Sequence, residues 1–355
     1  MDRNSPSVSI VVPCRNERDH VETALETILA QQPPPGNFEV IVSDGMSDDG
    51  TREIILRLAG ADPRVRMVDN RCGIVSTGLN VAIREARGSI IIRMDAHTEY
   101  AADYVCQCVA VLRSTGADNV GGPWIAKGRG LMGKAIAAAF QSPFCTGAAR
   151  GHDPSYEGEI DTVYLGCWQR DIFDRIGFFD EELARNQDDE FNLRLSRAGG
   201  KIWQSPRIKS WYAPRPSLAA LFNQYVQYGY WKVRVIQKHK IPAALRHLAP
   251  GCFVFLLAAL PPISFLWPLA LWIWLALVGI YLGCNFVASL LTAISKDYKL
   301  FPLLVVVFAC FHIAYGYGFL RGICDFVILR RKARSKYNVL TRKPTDNLPQ
   351  QKMLR

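Results

Sequence analysis

No two of the ten cysteines stand at C-x-x-C spacing, so a zinc site or a redox dithiol is not expected. Cys14, Cys72, Cys106, Cys108, Cys145 and Cys167 are scattered through the body, and the other four fall in or near an apolar C-terminal stretch. They read as reduced thiols. The first 295 residues also lack a surplus of positive charge, with 30 Lys and Arg against 29 Asp and Glu. A nucleic-acid-binding domain would carry a basic face, which excludes that class. The basic balance belongs to the last 60 residues, where 12 Lys and Arg face 3 Asp and Glu. No cleavable signal peptide is expected, because MDRNSPS leads straight into a strand-like run.

The longest absence is of charge itself. Between Leu248 and Ser295 there is no Asp, Glu, Lys or Arg, a run of 48 residues. That suffices for two helices of about 20 residues each, the length that crosses a bilayer. A third apolar run covers residues 300–320, interrupted by His312, and Arg330, Arg331, Lys332, Arg334 and Lys336 follow it. Such a cluster is expected on the cytoplasmic side. Three full crossings from a cytoplasmic body would place it outside. Pro261-Pro262 and Pro268 interrupt the first segment, and proline breaks a helix. A re-entrant hairpin or interfacial helix there leaves two crossings and keeps the tail inside. A buried helix pair in a soluble protein is the alternative reading.

The body alternates short apolar runs with helical spacing. Strands are expected at 8–13, 38–43, 65–69 and 89–94, and helices at 20–31, 51–59 and 74–87. Further strands are expected at 120–125, 161–165 and from 202, with a helix over 189–198 closed by Gly199-Gly200. Continuous apolar strands between helices indicate an α/β sheet covered on both faces. Ligands then sit at the carboxyl ends of the strands. Arg15-Asn16-Glu17, Asp44 to Thr51 and Asp95 to Thr98 fall there and should converge.

Asp95-Ala96-His97 ends an apolar strand with two possible metal ligands. Asp44 can accept a hydrogen bond from a base, or simply form an Asp-Gly turn. Asp48 and Asp49 read as turn residues or a helix N-cap. Asp188, Asp189 and Glu190 open a helix, where the dipole favours negative charge, and a carboxylate there could also serve as a general base.

VVPCRNE, VSDGMSDDGT, the GLN-containing helix and IIRMDAH together resemble the nucleotide-sugar half of inverting glycosyltransferases of family 2, which have the GT-A fold, a Rossmann-like mixed sheet with helices on both faces. YLGCWQRDIFDRIGFFDEE and NQDDEFNLRLSRAGGKIW extend the resemblance over about residues 7–240. Asp-Ala-His, Asp-Asp-Glu-Phe-Asn and the apolar tail are most similar to the succinoglycan-type, ExoA-like glucosyltransferases.

The resemblance implies donor-binding roles for Pro13, Arg15, Asn16, Glu17, Asp44 and Asp95. Asp95 and His97 would hold a divalent cation, Mn²⁺ or Mg²⁺. The family usually has Asp-x-Asp there. A histidine in the second position, ligating directly or donating to a phosphate, favours Mn²⁺; a loop-capping His97 is the bland alternative. Asp188 is the implied general base, with Asp189 the fallback, and the Glu of the family's Glu-Asp is replaced by Gln187. Gln227-Tyr228-Gly229-Tyr230-Trp231 resembles the Gln-x-x-Arg-Trp motif with Tyr230 in place of Arg, which makes Gln227 and Trp231, with Trp168, acceptor-binding candidates. The same segment also describes an amphipathic helix at a bilayer surface.

The expected organisation is a GT-A domain over 1–215, an interfacial helical segment over 216–247, transmembrane or re-entrant helices over 248–322 and a basic cytoplasmic tail over 323–355. The implied activity is metal-dependent, inverting transfer of a hexose, glucose favoured, from a UDP-sugar to a polyprenyl-diphosphate-linked glycan. It would occur at the inner (plasma) membrane in exopolysaccharide or cell-surface polysaccharide synthesis, with the lipid bilayer as partner and the catalytic domain cytoplasmic. A processive polysaccharide synthase, or a catalytically inactive membrane-anchored scaffold, is the alternative.

Overall fold

The computed structural model describes residues 6–34, 37–242 and 244–338. Its first half is built by strands too apolar to face water on either side. β1 (Val8–Cys14), β2 (Phe38–Asp44) and β4 (Ile90–Arg93) are almost wholly buried, as central strands of a covered parallel sheet must be. With β3 (Val65–Asp69) they run parallel in the order β3-β2-β1-β4. α1 (Val21–Leu29), α2 (Thr51–Ala61) and α3 (Val75–Glu85) make the crossovers.

The sheet then changes direction. After β5 (Thr98–Tyr100) and α4 (Tyr104–Thr115), β6 (Asn119–Gly122) rejoins the large sheet, while β7 (Ile125–Ala126) belongs to a small second one. A single strand over 120–125 was expected. Pro123 has no N–H to give a ladder, and the chain leaves one sheet for the other around it. α5 (Gly130–Phe140) and α6 (Pro143–Thr146) follow, then β8 (Gly158–Glu159) and β9 (Tyr164–Gln169). β9 lies antiparallel between β4 and β6, making the sheet mixed; its start lies three residues beyond the expected one. α7 (Ile172–Ile176), α8 (Gln187–Arg197), β10 (Ile202–Gln204) and β11 (Ser210–Tyr212) complete the body. The eight-stranded order is β3-β2-β1-β4-β9-β6-β10-β8, and β11 pairs with β5 and β7.

α9 (Leu218–His239) carries the aromatic-rich segment. As an interfacial helix it would keep an apolar face open, yet its exposed residues are Ala219, Asn223, Gln237 and Lys238. Its apolar face is instead covered by α12 (Phe301–Gly322), and glycines make the approach close. A Cβ on Gly318 would lie 2.0 Å from the Val226 carbonyl oxygen, and one on Gly229 2.1 Å from that of Tyr315.

Before α12 come α10 (Ala249–Ser264) and α11 (Leu269–Lys296). Pro261 and Pro262 do not split the first segment; they sit in the last turn of α10, near where it ends anyway. Among the described residues, with flanking turns, three helices are long and apolar enough to cross a membrane: Leu245–Ser264, Leu269–Lys296 and Tyr298–Ile328. Trp272, Ile280 and Ile294 of the second helix, and Phe265 and Leu266 in the turn before it, are exposed, a surface that calls for a lipid-like environment. Of the basic tail, residues 339–355 lie outside the described residues.

Candidate active site

The carboxyl ends of β1 and β4 and the start of α8 meet at a cavity of about 720 Å³, within the range that holds a small substrate. Pro13 lines it from β1, Arg15 and Glu17 from the loop after β1, Asp95 and His97 from the loop after β4, and Asp188 and Asp189 from α8.

Arg93 ties these elements together. It is the last residue of β4 and only 5% exposed. Its Nε and Nη2 donate to the two oxygens of Asp95 at 2.8 and 3.0 Å, and its Nη1 donates to Asp188 Oδ1 at 2.6 Å. One guanidinium thus fixes both carboxylates, and planar fork geometry suits arginine to it. The Arg93 pKa is raised: burial lowers it, but Asp188 and Asp95 outweigh that.

The two acids of α8 are held differently. Burial deep in the cleft raises the pKa of Asp188, Arg93 opposes this, and Asp95 and Asp189 add to it. A third of its side chain nonetheless remains open to the cavity. Asp189 is pushed the other way: burial would raise it, but Lys232, nearly buried and paired with it, brings it below the usual aspartate value. Asp188 is therefore the more basic carboxylate.

His97 places Nδ1 3.2 Å from Glu17 Oε1. A carboxylate receiving that N–H orients the ring and leaves Nε2 as the ligating nitrogen, the usual outer-shell arrangement around a metal-bound histidine. Each Asp95 oxygen carries two lone pairs, one of which accepts from Arg93. Among the described residues no group of three or more His, Cys, Asp and Glu side chains converges on one point. A cation here would take its remaining ligands from phosphate oxygens, as Mg²⁺-type sites commonly do. The donor set fits such an ion.

Sequence reasoning missed much of the wall. Lys232 and Arg246 line the cavity, the second paired with Asp161 at 2.6 Å. Trp124 lines it too, stacked on Tyr164 with centroids 5.3 Å apart and planes 4° apart. Phe253, Tyr281, Phe311, His312 and Tyr315 line it from α10, α11 and α12. The one available signal was Arg93 itself, a charge at the end of an apolar strand that had to find partners.

Other expected residues lie elsewhere. Asn16 turns to the loop after β2, where its Nδ2 donates to Asp48 Oδ1 at 2.9 Å. Asp49 accepts from the Thr51 N–H at 3.0 Å, a turn that leads the chain into α2. Asp44 is fully buried and is not among the residues that line the cavity; its Oδ2 accepts from Arg52 Nη1 at 3.0 Å, while its buried Oδ1 accepts no hydrogen bond among the described residues. Trp168 is 1% exposed in the core among Phe173, Phe179 and Phe191. Acceptor contact by Trp168 is therefore corrected: β9 turns the ring inward, against helices α7 and α8. Trp231 is corrected likewise. It is buried, donates through Nε1 to the Tyr337 carbonyl at 3.1 Å and packs near Phe326. Tyr230 donates to the buried Asp325 at 3.2 Å, so Tyr230 and Trp231 anchor the segment after α12. Gln227 does not line the cavity; its Oε1 accepts from Arg185, which does, at 3.1 Å.

Comparison with known proteins adds four findings. The family model described as glycosyl transferase family 2 matches residues 9–154. The succinoglycan biosynthesis protein ExoA of Rhizobium meliloti (strain 1021) is 33% identical over 326 residues, covering 91% of this chain and 96% of that protein. A dolichyl N-acetyl-alpha-D-glucosaminyl phosphate 3-beta-D-2,3-diacetamido-2,3-dideoxy-beta-D-glucuronosyltransferase of Methanococcus voltae is 24% identical, covering 89% and 97%. Among solved structures, the mannosyltransferase PcManGT of Pyrobaculum calidifontis, in complex with GDP-Man and Mn²⁺, superposes with a TM-score of 0.55. It is 21% identical, covering 89% of this chain and 87% of that one, a likeness of fold.

Proposed function

Because the chain belongs to glycosyl transferase family 2 and has the GT-A fold, we propose that it transfers a hexose, glucose favoured, from a UDP-sugar to a lipid-linked glycan. The transfer serves exopolysaccharide or cell-surface polysaccharide synthesis. The observation that carries this reading is the lining of one cavity. Donor-side residues Arg15, Asp95 and His97 share it with Phe253, Tyr281 and Phe311 of the apolar helices. A soluble sugar acceptor would need no such wall, whereas a polyprenyl diphosphate carries its chain in lipid. The same arrangement supports a cytoplasmic catalytic domain held against the inner membrane.

Asp188 accepts the proton of the acceptor hydroxyl as its oxygen attacks the anomeric carbon from the face opposite the diphosphate. The new C–O bond forms as the bond to the donor phosphate oxygen breaks, and that oxygen keeps the electron pair, so configuration inverts. Arg93 keeps the Asp188 carboxylate aimed and its charge matched before the proton arrives. Asp95 and His97 would hold a divalent cation, Mn²⁺ favoured, which supplies positive charge to the departing diphosphate. Glu17 orients His97 for that contact.

The test is UDP release from a panel of UDP-sugars by the purified chain in detergent with a lipid extract, in Mn²⁺, Mg²⁺ or EDTA. Metal-dependent turnover that is lost in Asp95→Ala and in Asp188→Asn is expected. Turnover undiminished in Asp188→Asn would remove that residue as the base and turn attention to Asp189.

A further inference from the structure

Packing divides the three apolar C-terminal helices into two kinds. α12 is packed onto the body along its length. Leu304, Val307, Phe308 and Phe311 share a core with Ile136 and Phe140 of α5, while Ala314 and Phe319 share another with Val226, Tyr230 and Val233 of α9. Those two helices belong to a charged body. α9 pairs Lys232 with Asp189, Arg234 with Glu182 and Lys238 with Asp180, and Lys134 of α5 is exposed. A helix fixed along such neighbours cannot enter hydrocarbon without taking their charges with it. The exposed residues of its outer face, Pro302, Val306, Ile313 and Tyr317, fall on one apolar strip, which suits a helix lying flat at a membrane surface.

α10 and α11 leave the body as a hairpin. α10 crosses α12 at its root, where a Cβ on Gly316 would lie 2.3 Å from the Pro250 carbonyl oxygen. α11 rejoins α12 at Asn285, whose Nδ2 donates to the Val305 carbonyl at 3.1 Å. Farther out the two helices pack on each other, as in the donation from Trp274 Nε1 to the Leu257 carbonyl at 3.1 Å. Of residues 255–280 only Leu260 and Ala270 are buried. At about 1.5 Å per residue, residues 255–264 rise about 15 Å and residues 269–280 about 18 Å. A bilayer core is about 30 Å thick, so the hairpin reaches about halfway. Its tip suits that depth. Phe265 and Leu266 are 88% and 92% exposed, and the Ser264 hydroxyl is used internally, donating to the Pro261 carbonyl at 2.6 Å. A turn that emerged into water on the far side would not present such side chains there.

We infer that the chain is monotopic: the α10–α11 hairpin is sunk into one leaflet of a bilayer, α12 lies at the surface of that leaflet, and no described helix crosses. Lys296 and Lys299 before α12, and Arg330, Arg331 and Lys332 beyond its other end, are exposed, where they can meet anionic headgroups of the same leaflet. Body, hairpin root and the described part of the tail then share one side. The root also abuts the cavity, which Phe253 and Tyr281 line while stacked with centroids 4.4 Å apart. The insertion stands whether or not the chain transfers a sugar.

The test is thiol accessibility of the full chain in a bacterial membrane, with a membrane-impermeant maleimide applied to spheroplasts and to inverted inner-membrane vesicles. Labelling is read position by position by mass spectrometry, so the native cysteines do not interfere, and exposed Cys72 marks the side of the body. Lys299→Cys and Ser335→Cys are expected to label on the side where Cys72 labels and not on the other. Leu266→Cys is expected to label on neither side until detergent dissolves the membrane; should that variant fail to accumulate, Phe265→Cys serves. Labelling of Leu266→Cys from the side opposite Cys72 would show a crossing hairpin, and from the same side a hairpin outside the membrane. Labelling of Lys299→Cys or Ser335→Cys opposite Cys72 would show an odd number of crossings before that position. Any of these results overturns the monotopic insertion.

Discussion

Arg93 and Asp188, 95 residues apart in the chain, meet at 2.6 Å, and the same guanidinium grips Asp95. The base of the proposed reaction and the metal-side carboxylate are thereby one rigid unit. Replacing Arg93 by Met leaves two carboxylates facing each other without a cation. A loss of about 3–5 kcal/mol in stability is expected for a broken buried pair, together with loss of turnover. Asp188→Asn should instead keep the fold and reduce turnover by about 10²–10⁴-fold. Thermal melts beside rate measurements separate the two outcomes.

The pH dependence follows from the opposite shifts on α8. Asp188 must be ionised to accept a proton, and its pKa is raised. The acid limb of kcat/KM is therefore expected above the ordinary aspartate value of about 3.9. Stability responds with the other sign at Asp189, whose folded pKa is lowered. Its contribution is complete above the unfolded value and disappears as pH falls through the folded one. Melting temperature against pH should fall less steeply on acidification in Asp189→Asn than in the parent chain. An equal slope would show that the Lys232 pair contributes nothing to acid stability.

Glu17 touches no substrate in the proposed mechanism but sets the orientation of His97. Glu17→Gln should raise the Mn²⁺ concentration needed for half-maximal activity by about 10–100-fold, the usual cost of losing such a partner. Saturating Mn²⁺ should restore most of the rate. Activity that is equally low at every Mn²⁺ concentration would count against an orienting role.

Gly318 is where α12 meets α9. Gly318→Ala would drive a methyl group into the Val226 carbonyl, an overpacking that costs about 1–3 kcal/mol. Because Phe311, His312 and Tyr315 of α12 line the cavity, the shift should also raise KM for a lipid acceptor while leaving UDP binding intact. A change in UDP affinity instead would place the coupling on the donor side.

Trp168 provides the contrast. Its ring fills the core beside Phe179 and Phe191, and Trp168→Ala should cost about 3–5 kcal/mol. At a temperature where the variant remains folded, KM for acceptor should be unchanged. A selective rise in KM would return Trp168 to the acceptor site.

The sequence by itself determined what is local. Apolar runs such as IVV and III can only be buried strands, because a continuous apolar run has no polar face to give to water. The polar loops at their ends, Asp95-x-His97 and the acidic start of α8 were legible for the same reason, as were the uncharged C-terminal helices. Tertiary structure decided which charges meet. Arg93 with Asp188, Lys232 with Asp189 and Arg185 with Gln227 are pairs separated by 95, 43 and 42 residues, and no local pattern encodes such distances. It also decided the fate of the aromatics. Trp168 and Trp231 have the composition of sugar platforms, but the turn of β9 and the packing of α9 on α12 point them inward. A side chain's chemistry is written in its residue type; the direction in which it is spent depends on what the fold packs against it.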